Sequence, residues 1–159
     1  SMSLDSREFR NALGRFPTGV CVITANPDGY EPFGMTVNSF ASVSLDPALV
    51  LWSLQNDSEC FEAFAKAKKY AVNILAEDQM QLSNFYAKKG DHSLQKEHYT
   101  MGRHGTPVIK GALTTFECDI WQRYEGGDHV ILVGKVQAML NSFETKPLVF
   151  FSGKYRELR

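Results

Sequence analysis

Apolar runs and alternating patterns predict a chain built mainly of β-strands. The strongest runs are residues 20–25, 33–40, 49–54, 70–75, 113–124, 130–140 and 147–151. The sequence Glu-Gly-Gly-Asp at 125–128 is the clearest hairpin signal, because its glycines permit positive φ. Residues 49–54 are apolar almost throughout, which predicts a strand buried on both faces. The order of at least six strands with inserted helices favours an antiparallel barrel.

The first helical pattern precedes all the strands. Phe9, Leu13 and Phe16 follow the i, i+4, i+7 spacing of one helical face within residues 6–16. Pro17 ends the pattern. We therefore predict an amphipathic helix that acts as a lid.

Two further helices are predicted between strands. Residues 59–68 carry an apolar stripe, and Asn56 with Glu59 fits a capping box. We therefore expect this helix to begin near Ser58. Residues 77–88 form the last helical pattern.

Composition and charge exclude several classes of function. The 159 residues contain no evident linker or repeat, so residues 1–159 are expected to form one domain with one active site. The 17 Lys and Arg nearly balance the 18 Asp and Glu. This balance argues against a nucleic-acid partner or a polybasic membrane anchor and favours small-molecule partners.

The chain carries no sign of a membrane or of an oxidising compartment. No apolar stretch approaches the ~20 residues of a membrane span, and the N-terminal residues lack the order of a secretion signal. Cys21, Cys60 and Cys118 are widely separated and form no CxxC pair, so neither a disulfide framework nor a zinc cluster is expected. We expect a soluble protein of the reducing cytoplasm.

A polar cluster interrupts one predicted strand and is the first candidate site. The cluster consists of Thr36, Val37, Asn38 and Ser39. Its donors would suit a flavin ring, because negative charge develops along one ring edge when the ring accepts hydride. A surface strand rich in Ser and Thr would show the same pattern, so this alternative stays open.

The second candidate lies where an apolar strand runs into the next predicted helix. Ser53, Leu54 and Ser58 flank this junction, where first-turn N–H groups and the helix dipole could hold a phosphate. Lys88 and Lys89, at the end of the following helix, are the nearest countercharges in sequence. The alternative is an ordinary helix end, where the dipole alone favours lysine.

The histidines form the third group of candidates. His129 follows the predicted hairpin turn, where a histidine is usually only solvated. His92, His98 and His104 are spaced by sixes in a polar stretch, 90–111, without clear periodicity. That spacing fits neither a helical metal pair nor a zinc finger, so these three are predicted to be loop residues.

Several well-known catalytic motifs are missing from the chain. It has no GxSxG elbow, no phosphate-loop signature and no GxGxxG dinucleotide fingerprint. Any nicotinamide cofactor would therefore have to bind outside a Rossmann fold.

In their amino-acid sequences and in their order along the chain, several segments resemble the flavin reductase-like domain family. This family includes the reductase components of two-component flavin-dependent monooxygenases. The matching segments are 9–20 (FRNALGRFPTGV), 34–47 (GMTVNSFASVSLDP), 70–75 (YAVNIL), 111–113 (GAL), 127–134 (GDHVILVG) and 147–155 (PLVFFSGKY). They cover nearly the whole chain in the expected order. Residues 90–106 depart from the short acidic-basic-aromatic pattern common at that place in the family.

The resemblance implies a mainly β fold with inserted helices, a six-stranded antiparallel FMN-binding split barrel that is usually a homodimer. It implies that the segment 36–39 contacts the flavin ring and ribityl chain. It also implies that Ser53 to Ser58 lie along the phosphate and that basic residues near Lys88 assist. His129 would lie on the nicotinamide side, and the C-terminal segment with Tyr155 would shape that pocket.

The function implied is that of an NADH- or NADPH-dependent flavin reductase that transfers hydride to FMN or FAD. Reduced flavin would then supply a separate oxygenase or another acceptor. His129 would orient the nicotinamide, and no protein nucleophile would be needed. The alternatives are a flavoprotein with tightly bound FMN that reduces another acceptor, a non-catalytic electron carrier, and a barrel without cofactor.

Overall fold

The chain folds into antiparallel β-structure with three α-helices in the residues that the computed structural model describes, 3–142 and 144–159. The helices are α1 (Ser6–Leu13), α2 (Phe61–Lys66) and α3 (Met80–Ala87), with a 3₁₀ turn at Lys96–His98. The strands are β1 (Thr18–Gly19), β2 (Cys21–Ala25), β3 (Phe33–Val37), β4 (Ala41–Leu45), β5 (Ala48–Gln55), β6 (Lys69–Ile74), β7 (Tyr99–Met101), β8 (Pro107–Ile109), β9 (Thr114–Gly126), β10 (His129–Asn141), β11 (Val149–Phe151) and β12 (Lys154–Arg156).

One large sheet dominates the architecture. Within the described residues it has seven strands in the order β3-β2-β6-β9-β10-β5-β4, and every neighbouring pair is antiparallel. The two edge strands, β3 and β4, follow each other in the chain, so the sheet curls into a barrel that stays open between them. Strands β1, β11 and β12 form a small separate sheet, and β7 pairs with β8.

The predicted fold class, mainly β with inserted helices in a split barrel, is confirmed. The large sheet has one strand more than the six expected, because β4 pairs with β5 through Ala41 and Leu51. The hydrophobic pattern did not predict β4, because the apolar side chains of this strand point outward. Leu45, for example, is 99% exposed. The polar stretch 90–111 also contains the short pair β7 and β8.

Aromatic side chains fill the inside of the barrel. Trp52 and Phe64 meet edge to face with ring centroids 4.9 Å apart, and Trp52 and Tyr70 do so at 5.8 Å. The Tyr70 hydroxyl donates to the carbonyl oxygen of Leu132 at 2.9 Å, so this buried polar group is satisfied. The interior of the barrel is therefore filled by side chains.

Burial along β5 differs from the prediction for residues 49–54. The strand alternates: Val50, Trp52 and Leu54 are buried, whereas the residues between them are only half-buried. Strand β2 has both faces covered, because α3 and the small sheet pack on the face that the barrel core does not cover, and most of β6 is buried on both faces as well. A continuous apolar run does not distinguish a two-sided strand from one whose outer face is partly open.

Helix α1 forms where predicted but ends at Leu13, and Asp5 caps it by accepting the N–H groups of Arg7 and Glu8. None of its residues is buried, and Phe9 is 50% exposed. The described chain therefore leaves the apolar face of this helix uncovered. No helix in the described ranges is long and apolar enough to cross a membrane.

Helix α2 begins at Phe61, three residues after the predicted start, and the predicted capping box is wrong. Asn56 donates its side-chain amide to the carbonyl oxygen of Gly127, and Glu59 accepts the N–H of Gly90 instead. The hydroxyl of Ser58 accepts the N–H of Cys60 at 3.1 Å and so satisfies the chain just before the helix.

We predict that Gly134→Ala lowers the free energy of unfolding by about 1–3 kcal/mol, the usual cost of overpacking a core. A Cβ at this position would lie 2.7 Å from Cζ of Tyr70 and 2.9 Å from Cβ of Cys118. Gly19→Ala is the matched control, since nothing lies within 4 Å of a Cβ there. Urea unfolding of both variants measures the difference, and equal stabilities would contradict the packing argument.

Candidate functional site

A cleft opens where the end of β3 meets the end of α3 and the C-terminal hairpin. Its volume is about 210 Å³. The lining residues are Val20, Thr36, Val37, Asn38, Ala87, Phe150 and Tyr155. Three of the predicted ring-contacting residues and the predicted Tyr155 therefore meet in one place, although more than 100 residues separate them in sequence.

Hydrogen bonds fix the walls of this cleft. The Thr36 hydroxyl donates to the carbonyl oxygen of Ser83 at 2.6 Å. The Tyr155 hydroxyl lies 2.8 Å from Oγ of Ser83 and donates to Oδ1 of Asn84 at 3.0 Å. Strands β3 and β12 are thus both tied to α3. The Thr36 side chain is already occupied, whereas the exposed side chain of Asn38 stays open to a ligand.

Ser39 and Ser53 bridge the opening of the barrel. The Ser39 hydroxyl accepts the N–H of Ser53 at 2.9 Å and donates to the carbonyl oxygen of Ser53 at 3.3 Å. Backbone pairing between β4 and β5 reaches only as far as Ala41 opposite Leu51, and two positions further in the same register Ser39 stands opposite Ser53. The Ser39 side chain therefore continues the β4–β5 hydrogen-bond ladder beyond the last backbone pair. It also joins the predicted segment 36–39 to the predicted segment 53–58.

A wider cleft of about 680 Å³ adjoins the first one and shares Asn38 and Phe150 with it. Its other walls include Arg10 and Arg15 at the end of α1 and Thr18 on β1. The Thr18 hydroxyl oxygen is buried and has no hydrogen-bond partner within the described residues. Because this oxygen has almost no accessible surface, a ligand in the cleft would have to displace the side chain to bond with it, so the hydroxyl alone does not indicate a ligand.

Sequence reasoning did not select Thr18 as a site residue. The residue lies within the matching segment FRNALGRFPTGV, but a threonine beside a glycine carries no local signal of burial. Only the pairing of β1 with β11, which sets Thr18 opposite Phe150, brings it to the cleft.

His129 begins β10 directly after the hairpin turn, in which Gly127 has φ +72°. It stands opposite Gln55, two residues from Ser53 along the same strand. Its Nδ1 lies 2.7 Å from Oδ1 of Asp128, and this imidazole holds the pKa of the Asp128 carboxyl below its usual range. That contact orients the ring, its side chain is 34% exposed, and Nε2 has no hydrogen-bond partner among the residues that the structure describes.

Of the residues predicted to lie near the phosphate, one is in the core and the others are at the surface. Leu54 is fully buried in the barrel core, so its side chain cannot reach a ligand. Ser58 is half-buried, and Lys88 and Lys89 are exposed just after α3. Because α2 has only six residues, its dipole is a weaker basis for anion binding than the sequence suggested.

Of the other three histidines, His92 and His104 lie in loops, where they were predicted, and His98 ends the 3₁₀ turn. His98 places Nδ1 2.6 Å from the Tyr86 hydroxyl, and His104 places Nε2 2.8 Å from Oδ1 of Asp119. The described part of the chain holds no group of three or more His, Cys, Asp or Glu side chains suited to a metal ion.

The fold and the clefts together define a split-barrel protein with a filled interior and two adjoining clefts on its outer surface. Comparison with known proteins specifies the class. The chain belongs to the flavin reductase like domain family, whose model matches residues 13–159.

Individual relatives agree with this assignment. The FMN reductase (NADH) SmoA of Agrobacterium fabrum is 45% identical over 95% of this chain and 85% of its own length. The reductase component of the flavin-dependent trigonelline monooxygenase of Acinetobacter baylyi is 44% identical over 82% of this chain. This chain spans only 42% of that relative's length.

A solved structure extends the likeness to the fold. The Streptomyces globisporus C-1027 NADH:FAD oxidoreductase SgcE6, in complex with NAD and FAD fragments, superimposes with a TM-score of 0.91 at 33% identity. The match covers 100% of this chain and 98% of that one. The expected function is thereby confirmed: the chain is an oxidoreductase of the flavin reductase class, which moves hydride from a nicotinamide cofactor to a flavin.

We predict that Ser39→Ala destabilises the flavin-free protein by about 1 kcal/mol, because two backbone groups of Ser53 lose their partner. Ser42→Ala is the control, since Ser42 is exposed and lies in the adjacent strand β4. Urea unfolding without flavin separates this structural effect from ligand binding. A Ser39→Ala variant as stable as Ser42→Ala would show that the bridge contributes nothing.

Proposed function

We propose that the flavin ring binds in the two adjoining clefts, against residues 36–39, with its phosphate near Ser58, Lys88 and Lys89. The observation that carries the proposal is the cleft that brings Thr36, Val37 and Asn38 together with Tyr155 from the other end of the chain. The Ser39–Ser53 bridge supports it by joining the ring segment to the phosphate segment.

In this proposal the protein positions its ligands and supplies no nucleophile. A bound flavin would provide the atom that accepts hydride. The backbone and side chains of residues 36–39 would donate hydrogen bonds to the ring edge where negative charge develops. His129, oriented by Asp128, would direct Nε2 toward the nicotinamide.

The finer identity of the cofactors belongs to this proposal. We propose NADH as the hydride donor, because a relative at 45% identity is named an FMN reductase (NADH). FMN and FAD are both retained as flavins, because the SgcE6 structure holds FAD fragments while the Agrobacterium relative is named for FMN.

We also propose that reduced flavin passes to a separate oxygenase component. The Acinetobacter relative is named as the reductase component of a monooxygenase, which supports this partner. The cytoplasm is the proposed compartment, because Cys21, Cys60 and Cys118 are all buried free thiols. Residues 1–159 are proposed to form one domain.

Anaerobic mixing tests the function directly. The flavin absorbance band is followed after NADH or NADPH is added to the protein with FMN or with FAD. Rapid bleaching by NADH at catalytic protein concentration supports the proposal, whereas no bleaching by either nucleotide would contradict it. Sequential kinetics with released flavin separates a reductase from a flavoprotein that keeps its FMN and reduces another acceptor.

We predict that the protein is a homodimer in which the apolar face of α1 is covered by the second copy. Phe9, Leu13 and Phe16 are 50%, 59% and 76% exposed in the single chain, and burying them would gain about 25 cal/mol per Å². Light scattering at micromolar concentration should give twice the chain mass. Phe9→Glu should shift the mass toward monomer, whereas Arg7→Glu on the opposite face of the same helix should not. Leu13 and Phe16 are left unchanged because they also line the wide cleft. A monomeric parent protein would contradict the dimer.

We predict that His129→Ala spares flavin affinity and lowers kcat/KM for the nicotinamide about tenfold, the value of one good hydrogen bond. His129→Asn should recover part of the loss because it keeps a hydrogen-bonding group. Glu125→Ala, in the same hairpin, is the matched control. Unchanged nicotinamide kinetics, or loss of flavin from a folded His129→Ala protein, would remove this histidine from the nicotinamide site.

A further inference from the structure

The Glu59 carboxylate anchors the segment that follows α3. Its two oxygens accept the N–H of Gly90 at 3.0 and 2.8 Å. Gly90 has φ +111°, a conformation that a residue with a side chain adopts only under strain. The segment therefore turns sharply at the point where Glu59 holds it.

His92 adds a second attachment in the same loop. Its Nε2 lies 3.3 Å from Oε1 of Glu59, and its Nδ1 lies 3.1 Å from the carbonyl oxygen of Gly34. The N–H of Gly34 donates in turn to the carbonyl oxygen of His92 at 2.9 Å. The loop is thus fastened both to β3 and to the residue just after Ser58.

These attachments determine where the two lysines lie. Ala87 lines the small cleft, and Gly90 is held at Glu59, so Lys88 and Lys89 span the gap between the cleft and the Ser58 region. Three peptide steps reach at most about 11 Å, which leaves the two lysines little freedom. Their side chains are exposed, so the backbone anchor is what holds them in place.

The charge of Glu59 opposes the binding of an anion nearby. The Gly90 N–H, with His92 and the positive charge of Lys89, lowers the pKa of the Glu59 carboxyl from its ordinary value, so the group is ionised at neutral pH. A carboxylate beside a phosphate weakens binding through repulsion. Any benefit of Glu59 to phosphate binding must therefore come from position and not from charge.

We propose that Glu59, together with His92, is a positioning residue that holds Lys88 and Lys89 beside Ser58 for the flavin phosphate. The inference rests on the proposed function, which sets the phosphate there. The inference also explains how this chain holds two lysines near the phosphate, although residues 90–106 depart from the acidic-basic-aromatic pattern of the family.

The test compares FMN with riboflavin, which differs from FMN only by lacking the phosphate. Flavin-free protein is titrated with each ligand, and flavin fluorescence reports the two dissociation constants. Glu59→Ala should lower the preference for FMN over riboflavin about tenfold, the value of one charge-assisted contact, and should leave riboflavin affinity unchanged. Glu59→Gln, which keeps an acceptor for Gly90, should lose less.

The controls separate position from charge. Glu62→Ala removes an equal charge from the exposed surface of α2 and should leave the preference unchanged. If Glu59 acted only through its charge, Glu59→Ala would tighten FMN binding, and that result would overturn the inference. Equal losses for FMN and riboflavin in a folded variant would also overturn it, since they would indicate general damage to the site.

A double-mutant cycle distinguishes this inference from the proposed phosphate site itself. Replacing Lys88 and Lys89 by Ala should lower the preference for FMN, and adding Glu59→Ala should then cause no further loss, with at most a small gain from the removed repulsion. If the lysine variant keeps the full preference, the proposed phosphate site fails. If the lysine variant loses it but Glu59→Ala and Glu59→Gln do not, only the positioning role of Glu59 fails.

Discussion

The filled interior of the barrel is the constraint on which the rest of the molecule depends. Phe64 and Tyr70 both pack on Trp52 in the centre, and all three are almost fully buried. Dense packing of this kind leaves no room for a planar cofactor. A planar ligand must therefore bind on the outer surface. The shape of that surface is set by α3 and by the small sheet, which pack on the large sheet.

The opening between β3 and β4 provides that surface. A sheet with two free edges leaves backbone donors and acceptors without partners, and these must be paired or solvated. The Ser39 hydroxyl satisfies both backbone groups of Ser53, and the small sheet of β1, β11 and β12 covers the neighbouring face. Thr18 and Asn38 line the clefts beside this opening, so the edge that must be covered and the proposed ligand site lie in one region.

Hydrogen bonds between segments that are distant in sequence fix the two ends of the proposed flavin site. Asn56 binds the hairpin turn through Gly127, and Glu59 binds the loop after α3 through Gly90. Each contact joins a residue just after β5 to a loop that carries a candidate ligand-binding side chain, His129 in one case and Lys89 in the other. The short segment after β5 thus organises both ends of the proposed flavin site.

The sequence alone determined the predominance of strands, the hairpin turn at Gly127 and the family, because alternation, glycine at positive φ and short motifs are local properties. It also selected Thr36, Asn38, Ser53 and Tyr155, which the fold brings to neighbouring positions around the opening of the barrel. These residues lie in motifs that can be recognised without knowing what they touch.

Only the tertiary structure decided which polar groups meet and which apolar faces are covered. The strand β4, the alternating burial of β5 and the uncovered face of α1 depend on what packs against each element. The bonds of Ser39 to Ser53 and of Glu59 to Gly90 join residues 14 and 31 positions apart. No local pattern encodes such pairs, because their energy arises only after the sheet has curled and brought distant segments together.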